Sequence, residues 1–318
     1  MTADALAGSM SGTTANPSAA CVADRQGTMT GVSTAFGTFG ELLQGVLPGP
    51  EGDFLVTLPI ARWTVATFRT DPGNSAVRVL PGHKHKAGRL LSMILEDVPV
   101  PTGGVLTLDS TLPEGKGLAS SSADLVATAR AAGNALGIAM PPERIESYLR
   151  RIEPTDGVLY EGIVAFHHRQ VRLLRRLGLL RPMTVVGIDE GGMVDTVEFN
   201  RLPKPFSAVE HREYGRLLSR LADAVHAGDL AEVGAVATRS AQMNQVLRPK
   251  RTLESMIALC EDIGGLGVVA AHSGTSLGIL IDNADPERSR KLVRAVRACA
   301  VLAGNVTTYQ TLSFGPYA

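Results

Sequence analysis

Aromatic residues are scarce in this chain of 318 residues, at 4% with a single Trp. Cysteine is scarcer still: Cys21, Cys260 and Cys299 are the three. An odd, scattered set with no Cys-x-x-Cys pair makes neither a disulfide framework nor a zinc site, and free thiols in a reducing cytoplasm are the simplest account. Net charge is missing as well, because 31 basic residues balance 31 acidic ones. That removes the basic excess that nucleic acid or an anionic membrane would require of a partner. Polar residues interrupt every apolar run well short of the roughly 20 residues of a bilayer span. No basic segment followed by an apolar core opens the chain, so no secretory signal is expected. The expectation is a cytoplasmic protein that binds neither nucleic acid nor membrane, large enough for one big core or two moderate ones.

The most informative stretch is Leu112–Asp124, LPEGKGLASSSAD. A strand, GGVLTLDSTL, leads into it, and DLVATARAAGNALGI follows with apolar residues at helical spacing. A glycine loop entering a helix suits a phosphate group. The first-turn N–H groups and the positive end of the helix dipole attract anions, and glycine lets the backbone come close. A Ser hydroxyl can also ligate a nucleotide's Mg²⁺. The alternative is a serine N-cap with glycines that only turn the chain. The order Gly-Lys-Ser/Thr of a P-loop is absent, as is the third glycine of a dinucleotide fingerprint. Lys116 points either to phosphate or to solvent.

Other candidates are spread along the chain. Glu153 and Asp156 flank Pro154-Thr155. Two carboxylates so close repel unless a cation or a hydroxyl lies between them, and the competing account is a helix N-cap. Glu41 and Gln44 read as part of a glycine-framed turn, either solvated or facing substrate. Ser273-Gly274-Thr275 is a small-residue turn between apolar strands, which admits a ligand or another backbone. His83 and His85, between lysines, read as a solvated helix start. His167 and His168 read as part of an amphipathic helix continuing through RQVRLLRRLGLLR, with a solvated basic face. His272 reads as a packed histidine, and Asn244 and Gln245 face either a cleft or a helix end.

Residues 1–32 are rich in small residues without periodicity and read as a mobile tail, with structure starting near Ser33. Helices are expected over KHKAGRLLSMILEDV, over residues 142–151, over HREYGRLLSRLADAV and the following segment with a break at Gly228-Asp229, over ESMIALCEDIGG and over PERSRKLVRAVRACA. MTVVGIDEGGMVDTVEFN reads as strand, Gly-Gly turn, strand. Strand pairs alternating with helices, without regular βα units, give the class α+β.

Pro113 to Ala123, Pro-x-Gly-x-Gly-Leu-x-Ser-Ser-Ser-Ala, resembles the second motif of the GHMP kinases, the family of galactokinase, homoserine kinase and mevalonate kinase. Gly40–Gly45, Gly-Glu-Leu-x-Gln-Gly, resembles the first motif in the form of the L-threonine kinases of the cobalamin pathway. Leu42 stands where the sugar and mevalonate kinases carry His, and Phe36 replaces the usual Pro. Glu-Pro-Thr-Asp at Glu153–Asp156, Asp189 to Thr196 and the Ser273–Thr275 turn resemble later segments of the same family. The resemblance implies a GHMP kinase fold, with a ribosomal protein S5 domain 2-like part over 33–182 and a ferredoxin-like part over 183–318. It implies ATP held by Pro113, Glu114, Gly115, Lys116, Gly117, Leu118, Ala119, Ser120, Ser121 and Ser122. It implies Mg²⁺ on Ser122 and Glu153, Asp156 as the base that orients the hydroxyl, and substrate at Glu41, Gln44, Ser273, Gly274 and Thr275. The implied reaction is phosphorylation of L-threonine, or of another hydroxy amino acid or secondary-metabolite alcohol. A non-catalytic regulator on the same fold is the rival, and the resemblance leaves room for a homodimer.

Overall fold

The computed structural model describes residues 22–23, 27–49, 52–99, 102–192 and 203–315. Two long antiparallel strands form its spine, β2 (Met29–Leu47) and β3 (Gly52–Asp71). A short β1 (Val22–Ala23) pairs with the start of β2. Regular structure is thus present before Ser33, earlier than the sequence pattern placed it, because β1 and β3 both pair with the start of β2, Thr30 lying opposite Val22 and Arg69. Residues 1–21 and 24–26 of the expected tail lie outside the described residues.

From β3 the sheet continues to β5 (Gly103–Ser110), antiparallel, and to β4 (Val77–Leu80), parallel to β5. On the other side β2 meets β9 (Gly267–Ala270), followed by β10 (Ser276–Asp282), β8 (Met183–Asp189) and β11 (Val306–Gln310). The seam between β2 and β9 is narrow, with Glu41 opposite Ala270. The second strand expected after the Gly191-Gly192 turn falls outside the described residues.

The segment read as a basic amphipathic helix is instead a hairpin of β6 (Ile163–His167) and β7 (Arg172–Gly178), attached to β3 through Leu55 and Val56. Two register shifts along this hairpin break the strict alternation of Leu and Arg, so β7 mimics a helical period. His167 and His168 are buried, not on a solvated face.

The helices form where periodicity and caps indicate. They are α1 (His85–Glu96), α2 (Ser120–Leu136), α3 (Pro142–Leu149), α4 (Ala208–Ala227), α5 (Leu230–Met243), α6 (Leu253–Ile263) and α7 (Arg288–Ala303). Ser207 and Glu210 make a capping box on α4, and the Asp229 side chain caps α5. The alanine-rich α2 is buried along most of its length, and its small side chains let it lie close to β2 and β3. Leu125, Val126, Phe54 and Phe68 belong to the larger core, which also takes in α4 and α5. A second core joins α6 and α7 to β8–β10 through Met256, Cys260, Ile279 and Cys299. Burial pushes both thiols up to about 11, so they are inert. Among the described residues, no helix is long and apolar enough to cross a membrane.

Glu146 of α3 holds the hairpin in place. Its buried carboxylate accepts from Tyr160 Oη at 2.8 Å, from the Leu173 N–H at 3.0 Å and from Arg150 at 3.0 Å. Glu146→Ala strands those donors and is expected to cost about 2–4 kcal/mol, seen as a lower denaturant midpoint with unchanged slope.

Candidate active site

The loop Leu112–Ala119 joins β5 to α2. Ala119 occupies the N-cap in the left-handed conformation at φ 56°, with no side-chain cap. The serine N-cap reading therefore fails: Ser120–Ser122 lie inside the first turn. The first-turn amides keep their donors for an anion. Gly115 and Gly117 have φ of 70° and 80°, which glycine adopts without penalty.

Three loops interlock here. Gly117 packs on Ala271 and Gly274 so closely that a Cβ at either glycine would overlap backbone or side chain. The Gly40 N–H donates to Gly117 O at 3.3 Å, the Thr38 N–H to Leu118 O at 3.2 Å, and Ser276 Oγ to Lys116 O at 2.9 Å. Gly40, at φ 54°, backs onto the Ala270 carbonyl. The glycine-framed segment is thus a bulged strand, not a turn, and Glu41 and Gln44 are buried within it. Its glycines serve close approach rather than chain reversal.

These loops, α1 and the segment after α3 enclose a cleft of about 440 Å³. That volume suits a small-molecule site. Of the anticipated residues, Glu41, Glu114, Gly115, Gly117–Ser122, Glu153, Asp156 and Ser273 line it. Pro113, Lys116, Gln44, Gly274 and Thr275 stand outside the lining. Lys116 turns to Asp189 Oδ2 at 2.6 Å and to the Gly192 carbonyl at 2.9 Å. Thr275 Oγ1 donates to the same Asp189. Gly274 O accepts from Arg248 and from the buried Lys250. Phe36 packs on Trp63 and Phe314, so its departure from the usual Pro falls in the core.

No helix follows Glu153 and Asp156, which excludes the N-cap account; both stand in an irregular segment facing α2. Ser122 Oγ donates to Asp156 Oδ2 at 3.2 Å and accepts the Asp156 N–H at 3.1 Å. Glu153 is held by Ser121 Oγ and by Lys86. The serines are thus divided between the carboxylates, Ser121 on Glu153 and Ser122 on Asp156. Burial pushes Asp156 up to about 6, the Glu153 charge adds to this, and the Ser122 hydroxyl opposes it.

Glu41 closes the far end. It accepts the His272 N–H at 2.7 Å, and burial, then the charge of Asp156, push it well above the ordinary carboxylate range. His272 pairs with Gln44 and meets the His168 ring at a centroid distance of 5.0 Å. Burial holds His272 well below its usual value, so it is neutral at physiological pH. Asn244 Nδ2 donates to the carbonyls of Gln44 and Ser240 at the end of α5, and Gln245 pairs with the Lys250 backbone.

Sequence reasoning missed the wall made by His83–Ala87. Lys84 sits between Asp124 Oδ2 and Glu114 Oε1, each at 2.6 Å, and Lys86 holds Glu153. The signal was present. Two lysines and no acidic residue at a helix start oppose the helix dipole, and such a local violation points to a site.

The family model described as GHMP kinases N terminal domain matches residues 85–162, and the one described as GHMP kinases C terminal matches residues 221–301. The chain belongs to the GHMP kinases, which use ATP. It resembles two proteins named L-threonine kinase. The one from Citrobacter freundii is 27% identical over 245 residues, covering 76% of this chain and 83% of that protein. The one from Salmonella typhimurium is 26% identical over 247 residues, covering 76% and 80%. The mevalonate kinase of L. major, solved with R-mevalonate, shares the fold with a TM-score of 0.67 at 17% identity, over 90% of this chain and 97% of that one.

Because folding disfavours the charged form of Asp156, stability falls as pH rises from about 4 to about 6 and the full cost persists above. One face of Asp156 meets the cleft, which limits that cost. Asp156→Asn is expected to gain about 1–2 kcal/mol near pH 7.5, with the gain fading toward pH 4.5, read from denaturant midpoints at the two pH values.

Proposed function

We propose that this cleft transfers the γ-phosphoryl group of ATP, with Mg²⁺, to the side-chain hydroxyl of L-threonine, giving O-phospho-L-threonine and ADP. The observation that carries the reading is Asp156, clasped by Ser122 at the start of α2 beside the open amides of the loop. A carboxyl with a pKa of about 6 is ionised at neutral pH, yet basic enough to take a hydroxyl proton. In this reading residues 33–182 supply the nucleotide side and residues 183–318 close the substrate side.

The residues present fit the nucleotide and its metal. The donors around Glu153, Asp156, Ser121 and Ser122 are all oxygens. Mg²⁺ favours oxygen, and one or two carboxylates with phosphate and water complete its shell. No cluster of three or more His, Cys, Asp or Glu side chains suited to a metal occurs among the described residues. That accords with a cation shared with phosphate. When bound, Mg²⁺ neutralises charge on the phosphates. The Gly115–Ser122 loop receives the phosphates through its amides, and Asp156 aligns the hydroxyl and accepts its proton.

Glu41 supports an amino acid as the alcohol. Its charge is disfavoured by burial and by Asp156, and a substrate ammonium beside it would relieve both. The names of the two similar proteins support threonine in particular.

The test is to incubate the protein with ATP, Mg²⁺ and a panel of threonine, serine, homoserine and simple alcohols, and to identify the phosphorylated product by ³¹P NMR. Threonine is expected to be preferred. Turnover of alcohols without an amino group at equal efficiency would remove Glu41 from recognition. Asp156→Ala is expected to lower kcat by about 10³-fold or more with nucleotide binding retained. Wild-type kcat/KM is expected to fall as pH drops through about 6.

A further inference from the structure

Lys86 and Lys84 both line the cleft from the start of α1, but they are held differently. Lys84 is 12% exposed and locked between two carboxylates, Asp124 and Glu114. Burial lowers its pKa, but the hydrogen bonds it donates to both outweigh that and raise it, so it is a permanent cation with a structural post. Lys86 is 51% exposed and has Glu153 as its ion-pair partner, whose side chain is 5% exposed. Glu153 keeps a second donor in Ser121. A water-facing ammonium on a flexible stem can leave such a partner far more readily than Lys84 can leave its pair.

We propose that Lys86 exchanges Glu153 for a phosphate oxygen of the nucleotide, so that it and the divalent cation compete for the same carboxylate. Before nucleotide binds, Lys86 neutralises a carboxylate that is too buried to stand alone. When phosphate enters the cleft, Lys86 pairs with it, and Glu153, still held by Ser121, becomes available to the cation. The exchange delivers one positive charge to the phosphates and frees one negative charge for the metal at the same moment. A lysine in the first turn opposes the helix dipole, and a phosphate partner explains why the fold places one there. This inference rests on the nucleotide-binding reading above.

The test compares wild type, Lys86→Met, Lys86→Arg, Glu153→Gln and the double variant Lys86→Met/Glu153→Gln. Calorimetry measures ATP binding with EDTA present, and electron paramagnetic resonance measures Mn²⁺ binding to the nucleotide-free protein. Metal-free ATP affinity is expected to drop about tenfold or more in Lys86→Met and to be largely restored in Lys86→Arg. Glu153→Gln, which releases Lys86, is expected to bind metal-free ATP as tightly as wild type or tighter. Mn²⁺ is expected to bind Lys86→Met more tightly than wild type, because its competitor is gone. In the double variant the Glu153 charge is removed together with its ammonium partner, so losing Lys86 strands no carboxylate. If it binds metal-free ATP like wild type, Lys86 only neutralises Glu153 and the exchange is refuted. If wild type itself binds no ATP in either condition, the nucleotide reading fails and this inference falls with it. Normal wild-type binding with no effect at Lys86 sinks this inference alone.

Discussion

Backbone pressed against backbone is the constraint on which the site depends. Gly117 of the loop before α2 and Gly274 of the loop between β9 and β10 meet with no room for a side chain on either. The Lys116 carbonyl lies in that contact and accepts from Ser276, while Gly117 O and Leu118 O accept from the bulged stretch of β2. Three segments far apart in sequence thus fix one another's backbones. The amides of the first turn of α2 are aimed by that contact and not by a cap. Preorganised dipoles of this kind cost no rearrangement when charge develops against them.

Charge is then distributed over this frame with little waste. Each of the two facing serines serves one carboxylate, Ser121 serving Glu153 and Ser122 serving Asp156. Lys116, the basic residue within the loop before α2, pairs with Asp189 and so fastens the loop to the C-terminal half. Cations reach the cleft from α1 instead. Burial raises Asp156 and Glu41 and depresses His272, so at this end of the cleft the charged forms of all three are disfavoured.

Much of this was legible from the residues. The loop and helix at Leu112–Leu136, the break at Gly228-Asp229 and the strands flanking Ser273–Thr275 follow from turn chemistry and periodicity, and all formed as read. The β6–β7 hairpin was hidden because bulges blur a period of two into one near 3.6. The glycines around Glu41 suggested a turn, since sequence does not separate a glycine needed for φ from one needed for proximity. The sharing of Ser121 and Ser122 was beyond reach. Neighbours on a helix differ by about 100° in direction, and their aim is set by the left-handed Ala119, whose conformation nothing in its side chain announces. The lysines of α1 were set aside as solvated, although their position against the dipole was itself informative.

The narrow seam of the sheet, where Glu41 faces Ala270, gives the fold a property of its own. The strands of the N-terminal half and those of the C-terminal half meet at the residue whose carboxylate looks into the cleft, and again where Ile60 of β3 bridges to Thr311 beyond β11. Any molecule that grips that carboxylate also grips the joint. A ligand held there braces that contact as well, and thermal resistance becomes a gauge of occupancy.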